Sequence, residues 1–157
     1  DGRTATESGT GEAVFDSIQL LDDAGHPVEY VGVGDPVTLR CKIRVNEPID
    51  QLVLGYMIKD RLGQPVFGTN THHTGQTRER LQSGDRLIAN ARFPMNLGPG
   101  TYSVSVALSS TETHLVKNYQ WRDLALVFNV ANIRHDTFVG TAWIPPILSI
   151  EMPRGGA

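Results

Sequence analysis

The sequence predicts an all-β protein, an antiparallel β-sandwich of two sheets and about eight strands. Runs in which apolar and polar residues alternate recur along the 157 residues, and this period of two is typical of strands that bury one face. No stretch keeps the period of an amphipathic helix. The 16 Gly and 9 Pro residues suit the many turns that short strands need.

Length and composition limit the class of protein. The 157 residues suffice for one domain with a real core. The net charge of -3, from 14 Lys and Arg against 17 Asp and Glu, argues against nucleic acid as a partner. Cys41 is the only cysteine, which excludes an internal disulfide and a cysteine-rich zinc site. No apolar run has the length of a membrane helix and no basic segment followed by an apolar one resembles a signal peptide, so we expect any membrane role to be indirect.

The first elements follow from polarity and alternation. Residues 1–12 are polar, and we expect them to form a disordered linker from a neighbouring domain. The predicted sandwich domain covers residues 13–157, and its first strand follows from the alternation of Val14, Ile18 and Leu20 with polar residues. Residues 37–45 then give the clearest pattern, a strand with one buried and one wet face.

The middle of the chain predicts a hairpin and three further strands. The hairpin joins residues 52–58 to residues 65–70 and sets Tyr56 beside Phe67 as a core aromatic pair. The further strands are centred on the apolar sets of residues 87–93, 104–108 and 124–130. Tyr102, just inside a strand after a Gly-containing corner, resembles the tyrosine corner of immunoglobulin-like sandwiches, so we expect an Ig-like order of strands.

The end of the chain predicts a different kind of strand. Residues 141–151 are apolar and are interrupted by Pro145 and Pro146, which confines them to a sheet edge. An apolar edge strand at a chain end can be exchanged with a second copy of the chain, and this exchange is our first structural hypothesis.

One predicted outer face carries a basic stripe. We define the stripe by its cations, which come from two neighbouring strands: Arg40, Lys42, Arg44, Arg86 and Arg92. Such a stripe could hold phosphate, a charged polymer or an acidic partner. The alternative is a solvated sheet face that also resists edge aggregation.

The outer face of the other sheet is the candidate binding surface. Its predicted outward residues are small and mostly uncharged, and the hydrogen-bonding ones are Asn70, Ser103, Ser105 and Asn129. A floor of Gly, Ser and Ala lets a ligand or another chain approach the backbone closely, and we expect residues 141–151 or a ligand to cover it.

A predicted loop, residues 109–123, runs beside this floor and supplies His114, Tyr119 and Trp121. Aromatic faces with a few hydrogen-bonding side chains suit sugar rings. The alternative for the two aromatic residues is core packing.

Catalytic and metal motifs are not found. The sequence lacks GxSxG, HExxH, GxxxxGK[ST] and GxGxxG motifs. His72 and His73 with His114 could be metal ligands, but adjacent residues of a strand point to opposite faces and no clustered carboxylate completes a site. We therefore expect no enzyme activity, no metal and no cofactor.

A set of local motifs resembles one known family. These are Ile18-x-Leu20, Asp23-x-Gly25, VGDPVTL at residues 33–39, GYMIKDRLGQPVFGTNT at residues 55–71, Leu97-x-x-Gly100-x-Tyr102 and Phe128-Asn129-Val130. Over residues 13–130 the chain resembles the C-terminal domain of Wzt-type ATP-binding subunits of polysaccharide ABC exporters. The run at residues 55–71 is the most specific of these motifs.

The resemblance implies a function. It implies a dimeric β-sandwich that binds an O-antigen polysaccharide at its non-reducing end, as the substrate-specificity domain of an exporter of lipopolysaccharide precursors. The partners would be a nucleotide-binding domain of the same parent protein and a transmembrane exporter subunit, which places the chain in the cytoplasm at the inner membrane. On the chain's own residues, we expect Asn70, Ser103, Ser105 and Asn129 to bond sugar hydroxyls, Tyr119 or Trp121 to stack on a sugar, and His114 to lie at the rim.

Two other functions stay open at this stage. The first is an Ig-like protein-docking or dimerisation module that binds no glycan, and the second is a hydrolase, for which no residue pattern speaks.

Overall fold

The computed structural model describes residues 5–111 and 116–154, and within them the chain forms ten strands. The strands are β1 (Thr6–Ser8), β2 (Ala13–Leu21), β3 (Tyr30–Gly32), β4 (Pro36–Val45), β5 (Ile49–Lys59), β6 (Pro65–Asn70), β7 (Arg78–Leu81), β8 (Arg86–Pro94), β9 (Gly100–Ser109) and β10 (Asn118–Ala131).

The strands pack as two sheets, which confirms the predicted all-β sandwich. In the large sheet the order is β1-β10-β9-β5-β6, with β3 added beside β10 and β7 beside β5. The small sheet has the order β2-β4-β8. Every pairing is antiparallel except that of β3 with β10, among the strands that the structure describes.

The core lies between the two sheets and follows the period-two pattern. In β4 the alternate residues Val37, Leu39, Cys41, Ile43 and Val45 are all buried, as predicted. Burial raises the pKa of the Cys41 thiol to about 12, so this cysteine behaves as a small apolar core residue.

Two predicted aromatic features are present. The Tyr102 hydroxyl donates a hydrogen bond to the Gly98 carbonyl at 2.7 Å, which is the geometry of a tyrosine corner. The rings of Tyr56 and Phe67 lie 6.2 Å apart, as the hairpin predicted. Phe67 is half exposed, however, because it belongs to the edge strand β6 and the small sheet does not extend over it.

The N-terminal prediction is wrong in part. Residues 1–12 were expected to be a disordered linker, but Thr6–Ser8 form β1 and pair with residues 121–123 of β10. Their side chains are all exposed, so burial gives no sequence signal, and the strand is positioned by backbone pairing and by the Gln120 Nε2 hydrogen bond to Glu7 Oε1 at 2.6 Å.

The predicted loop at residues 109–123 is also largely wrong, because β10 begins at Asn118. The alternation of apolar and polar residues is not visible at the start of β10, since a polar residue faces inward there. Gln120 is buried and its Oε1 accepts a hydrogen bond from the Phe15 N–H at 2.7 Å. Trp121, the apolar neighbour, faces outward instead, so polarity and direction are reversed.

The C-terminal segment does not form the predicted edge strand in this chain. Residues 141–151 make one isolated bridge, from Ala142 to Leu97, and the Trp143 N–H donates to the Asn96 carbonyl. Residues 144–154 form no strand and no bridge to either sheet. Their large apolar side chains are strongly exposed: Ile144, Ile147, Leu148, Ile150 and Met152.

Candidate carbohydrate-binding site

The outer face of the large sheet brings distant residues into rows. Val104, Val106 and Leu108 of β9 point into the core, so Ser105 and Ala107 point outward. Ala107 pairs with Trp121 on β10 and with Gly55 on β5, and Gly55 pairs with Asn70 on β6. The adjacent row runs from Ser105 through Met57 to Gly68.

These two rows form a groove of about 400 Å³. Its floor is made of small residues, Gly55, Gly68 and Ala107. Trp121, which is 36% exposed, lies at one side, and Asn70 and His73 lie at the other. An aromatic face opposite an amide across a shallow floor is a geometry that suits a flat, hydroxyl-bearing ring.

The two glycines keep the groove open. A Cβ atom at Gly55 would lie 3.4 Å from the Cβ of Asn70, and one at Gly68 would lie 3.2 Å from the Cε of Met57. Neither position has a positive φ, so the backbone itself would accept a side chain. The lack of a side chain at these two glycines therefore leaves open space above the sheet.

One end of the groove is polar and charged. The Ser105 hydroxyl donates to Asp123 Oδ1 at 2.5 Å, and Lys59 Nζ lies 3.3 Å from the same oxygen. The Leu124 N–H also donates to Oδ1 at 3.0 Å. The Ser105 bond is the largest cause that lowers the pKa of Asp123, with Leu124 and Lys59 adding to it against the opposing effect of burial.

A β-bulge puts Asp123 in this position. The register of β10 on β9 shifts between Arg122 and Leu126, and Leu124 within the shift has a φ of 48°. A positive φ at a residue other than glycine costs about 1–3 kcal/mol, and it persists only where the surrounding structure imposes it. Bulges of this kind re-aim side chains near functional sites.

Sequence reasoning missed Lys59, which lines the groove, and Asp123, which contacts Lys59 and Ser105. Lys59 was recognised only as part of a motif near a turn, and Asp123 only as the end of a predicted loop. No local pattern joins them, because the bulge that aims Asp123 has no signal in the residue types.

Three of the predicted site residues, Asn70, Ser105 and Trp121, line the groove together. Ser103 lies one step further along β9, between Lys59 and Val127 in the register. It is 1% exposed, and its hydroxyl has no hydrogen-bond partner among the described residues.

Two other predicted residues, Asn129 and Tyr119, do not line it. Asn129 lies at the far end of the face, about 13 Å along β9 from Ser105, and accepts a hydrogen bond from Thr101 at 2.7 Å. Tyr119 is 4% exposed, and its hydroxyl donates to the Gln51 carbonyl at 2.9 Å, so the prediction that it stacks on a sugar is wrong. His114 lies outside the described residues.

The basic stripe lies on the outer face of the small sheet, where acidic residues accompany it. Asp16, in a bulge of β2, lies 3.6 Å from Arg44 and 3.2 Å from Arg86. Arg92 pairs with Asp23 at 2.7 Å, and Arg40 donates to the Asn90 amide oxygen at 2.8 Å. These contacts reduce the positive charge that the stripe offers to an outside partner.

A second and larger cavity opens between the sheets, with a volume of about 1040 Å³. We call it the inter-sheet cleft. Apolar residues of β4, β5 and β8 line its interior, among them Leu39, Cys41, Leu52 and Leu87. Among the described strands β8 pairs only with β4, so its other edge has no strand partner there and lies beside the cleft.

Neither a metal site nor a membrane helix is found in the described part of the chain. Residues 5–111 and 116–154 contain no group of three His, Cys, Asp or Glu side chains arranged to hold a metal ion. They also contain no helix long and apolar enough to cross a membrane.

Comparison with known families and structures identifies the family of the chain. A family model described as the Wzt C-terminal domain matches residues 4–144. The crystal structure of the C-terminal domain of Wzt superposes with a TM-score of 0.82 at 18% identity, over 94% of this chain and 89% of that one. No curated protein matches the chain.

Two further solved structures are only weakly similar. An alkylpurine DNA glycosylase of Pseudomonas fluorescens bound to DNA has a TM-score of 0.44 at 12% identity, over 78% of this chain and 31% of that one. A β-glucosidase of Erythrobacter marinus has a TM-score of 0.42 at 8% identity, over 76% and 15%. Similarity at this level carries no conclusion about function.

Proposed function

The chain belongs to the Wzt C-terminal domain family, whose members are non-catalytic accessory domains of ABC transporters, and from this premise we propose that it binds the exported polysaccharide. In this proposal the domain recognises an O-antigen glycan at its non-reducing end and so selects the substrate of the exporter. The nucleotide-binding domain of the same parent protein and a transmembrane subunit are its partners, at the cytoplasmic side of the inner membrane.

The observation that carries the proposal is the groove on the large sheet. Trp121 offers a half-exposed aromatic face, and Asn70 and Ser105 lie within the same groove. Sugar rings present C–H faces that pack on aromatic rings and hydroxyls that need fixed hydrogen-bond partners. The small floor lets such a ring approach the sheet closely.

Titration with a panel of purified O-polysaccharides of defined structure tests this proposal. We expect one member to bind, and Trp121→Ala to weaken that binding about tenfold through loss of the stacking surface. Tyr30→Ala is the matched control, because it removes a 75% exposed aromatic residue that pairs with Asn129 at the far end of the face. Equal effects of both variants, or none of Trp121→Ala, would place the glycan elsewhere.

We extend the proposal to a homodimer that exchanges its C-terminal segments. Residues 144–152 expose their apolar side chains in the single chain. The inter-sheet cleft offers apolar lining beside the free edge of β8. A segment from a second copy would bury both surfaces, which supports exchange over a tail left in water.

Light scattering on the wild type and on a chain that ends at Trp143 tests the dimer. We expect the wild type to be dimeric and the shortened chain to be monomeric. A monomeric wild type would contradict the exchange.

The dimer test also addresses the rival function, a docking module without glycan binding. Such a module predicts a dimer or complex that covers the groove, together with no binding to any polysaccharide of the panel. Shortening of a polysaccharide on incubation would instead indicate a hydrolase, and we expect none.

A further inference from the structure

From the ion pair in the groove, we infer that the glycan residue bound there is uncharged. The inference rests on the proposed function, and it names the class of sugar that this site takes. The cation of the groove, Lys59, is already neutralised by Asp123 within the site.

The pair is well shielded from water. The side chain of Lys59 is 18% exposed and that of Asp123 is 25% exposed. At such a position salt screens the attraction of the two charges less than it would at a fully exposed one. An anionic ligand would have to compete with a carboxylate that is already in place and hydrogen-bonded.

The hydrogen bonds of Asp123 hold the pair in this arrangement. Three donors, from Ser105, Lys59 and Leu124, converge on Oδ1. Asp123 is not itself a lining residue of the groove, and it acts through Ser105 and Lys59, which are. A sugar carboxylate or phosphate brought to Lys59 would also approach the like charge of Asp123, which lies 3.3 Å from the Lys59 Nζ.

The rest of the groove lining offers no excess positive charge. The other described lining residue that can become a cation is His73, at the rim. The arginines of the basic stripe lie on the outer face of the other sheet. Met57, Ala107 and Trp121 instead give apolar contacts, which suit the C–H faces of a neutral ring.

Asp123 is therefore a positioning and selectivity residue. It takes the hydroxyl proton of Ser105, which leaves Ser105 as an acceptor toward the ligand, and it neutralises Lys59, so that the groove offers no free cation to an acidic sugar. The isosteric change Asp123→Asn removes the charge, leaves Lys59 as a free cation and keeps the shape of the side chain.

The test uses the whole chain and a panel of purified polysaccharides, half of them uncharged and half carrying uronic acid or phosphate. Binding is measured at low and high sodium chloride for the wild type, Asp123→Asn and Lys59→Met. We expect an uncharged polysaccharide to bind the wild type, with an affinity that changes less than about twofold with salt. Asp123→Asn should lose about tenfold or more toward that ligand.

The variants also predict a change of selectivity. Asp123→Asn should gain binding to polygalacturonate that weakens as salt rises, and Lys59→Met should not. Circular dichroism and thermal melting establish that both variants are folded. The salt dependence of the wild type needs no variant, so a poorly folded Asp123→Asn does not prevent the test.

Two results are distinguished. If the wild type binds an acidic polysaccharide, with an affinity that falls steeply with salt and is lost in Lys59→Met, the inference is wrong and the proposed function stands. If no polysaccharide of either half binds, the proposed function is wrong and the inference falls with it.

Discussion

The two outer faces of the sandwich differ in the number and the burial of their charged residues. The small sheet carries the five cations of the basic stripe, and three of them, Arg44, Arg86 and Arg92, pair at the surface with Asp16 or Asp23. The outer face of the large sheet exposes mostly small uncharged residues, and its pair of Lys59 with Asp123 is partly buried at one end of the groove. A face rich in charged residues is well hydrated, whereas a face of Gly, Ala and Ser with an exposed Trp is typical of a binding surface.

The largest expected effect comes from filling the groove. Gly55→Val adds a branched side chain against Asn70, where the strand backbone accepts it, so polysaccharide binding should fall below detection. The unfolding free energy should stay within about 1 kcal/mol of the wild type. Titration and urea denaturation measure the two quantities.

Thr101→Val is the matched control for this variant, because it places the same side chain on the same face at the far row. It should leave binding intact. If Gly55→Val still binds the polysaccharide, the binding site lies outside this groove.

A smaller effect on the same face is the pH-dependent contribution of Asp123 to stability. The folded pKa of Asp123 is lowered, chiefly by Ser105, so its carboxylate stabilises the fold above the unfolded value of about 3.9. This contribution is lost as the pH falls through the lower folded pKa. Asp123→Asn should therefore be about 1 kcal/mol less stable near pH 7, with a difference that shrinks in acid.

Urea denaturation at pH 7 and in acid checks this dependence. Asp50→Asn, at an exposed carboxylate of β5, serves as the control and should follow the wild type at both pH values. A difference between Asp123→Asn and the wild type that does not depend on pH would contradict the role of the charge.

The smallest effect belongs to the small-sheet face. Asp16→Asn removes the carboxylate shared by Arg44 and Arg86, both of which are largely exposed. Surface pairs contribute little, so the loss of stability should be about 0.5 kcal/mol or less and should fade in high salt. If thermal denaturation showed that Asp16→Asn lowers the unfolding free energy by several kcal/mol, the small-sheet ion pairs would not be weak surface pairs.

The difference between the faces also explains which parts of the molecule were predictable. β4 was predicted with its face because its apolar and charged residues alternate without interruption. The start of β10 was missed because Gln120 faces inward and Trp121 outward. β1 was missed because its side chains are all exposed and leave no pattern.

The candidate site shows the same division. Asn70 and Ser105 were predicted because a strand register puts alternate residues on one face, whereas Trp121 was predicted as part of a loop beside that face. Tyr119 was predicted in the same loop, but it lies in β10 and is buried beside a register shift between Asn118 and Gln120. An extra residue in one strand reverses the face of its neighbours, and residue types alone do not reveal it.

By itself, the sequence determined the fold class, the core of the central strands, the tyrosine corner and the family. Each of these depends on residue types at short spacing, which period-two alternation and local motifs record directly. Only the tertiary structure decided the chemistry of the groove. Lys59 and Asp123 are 64 residues apart and meet because β5, β9 and β10 are neighbours and a bulge turns Asp123 toward Ser105. Contacts of this kind follow from strand order and register, which no local pattern specifies.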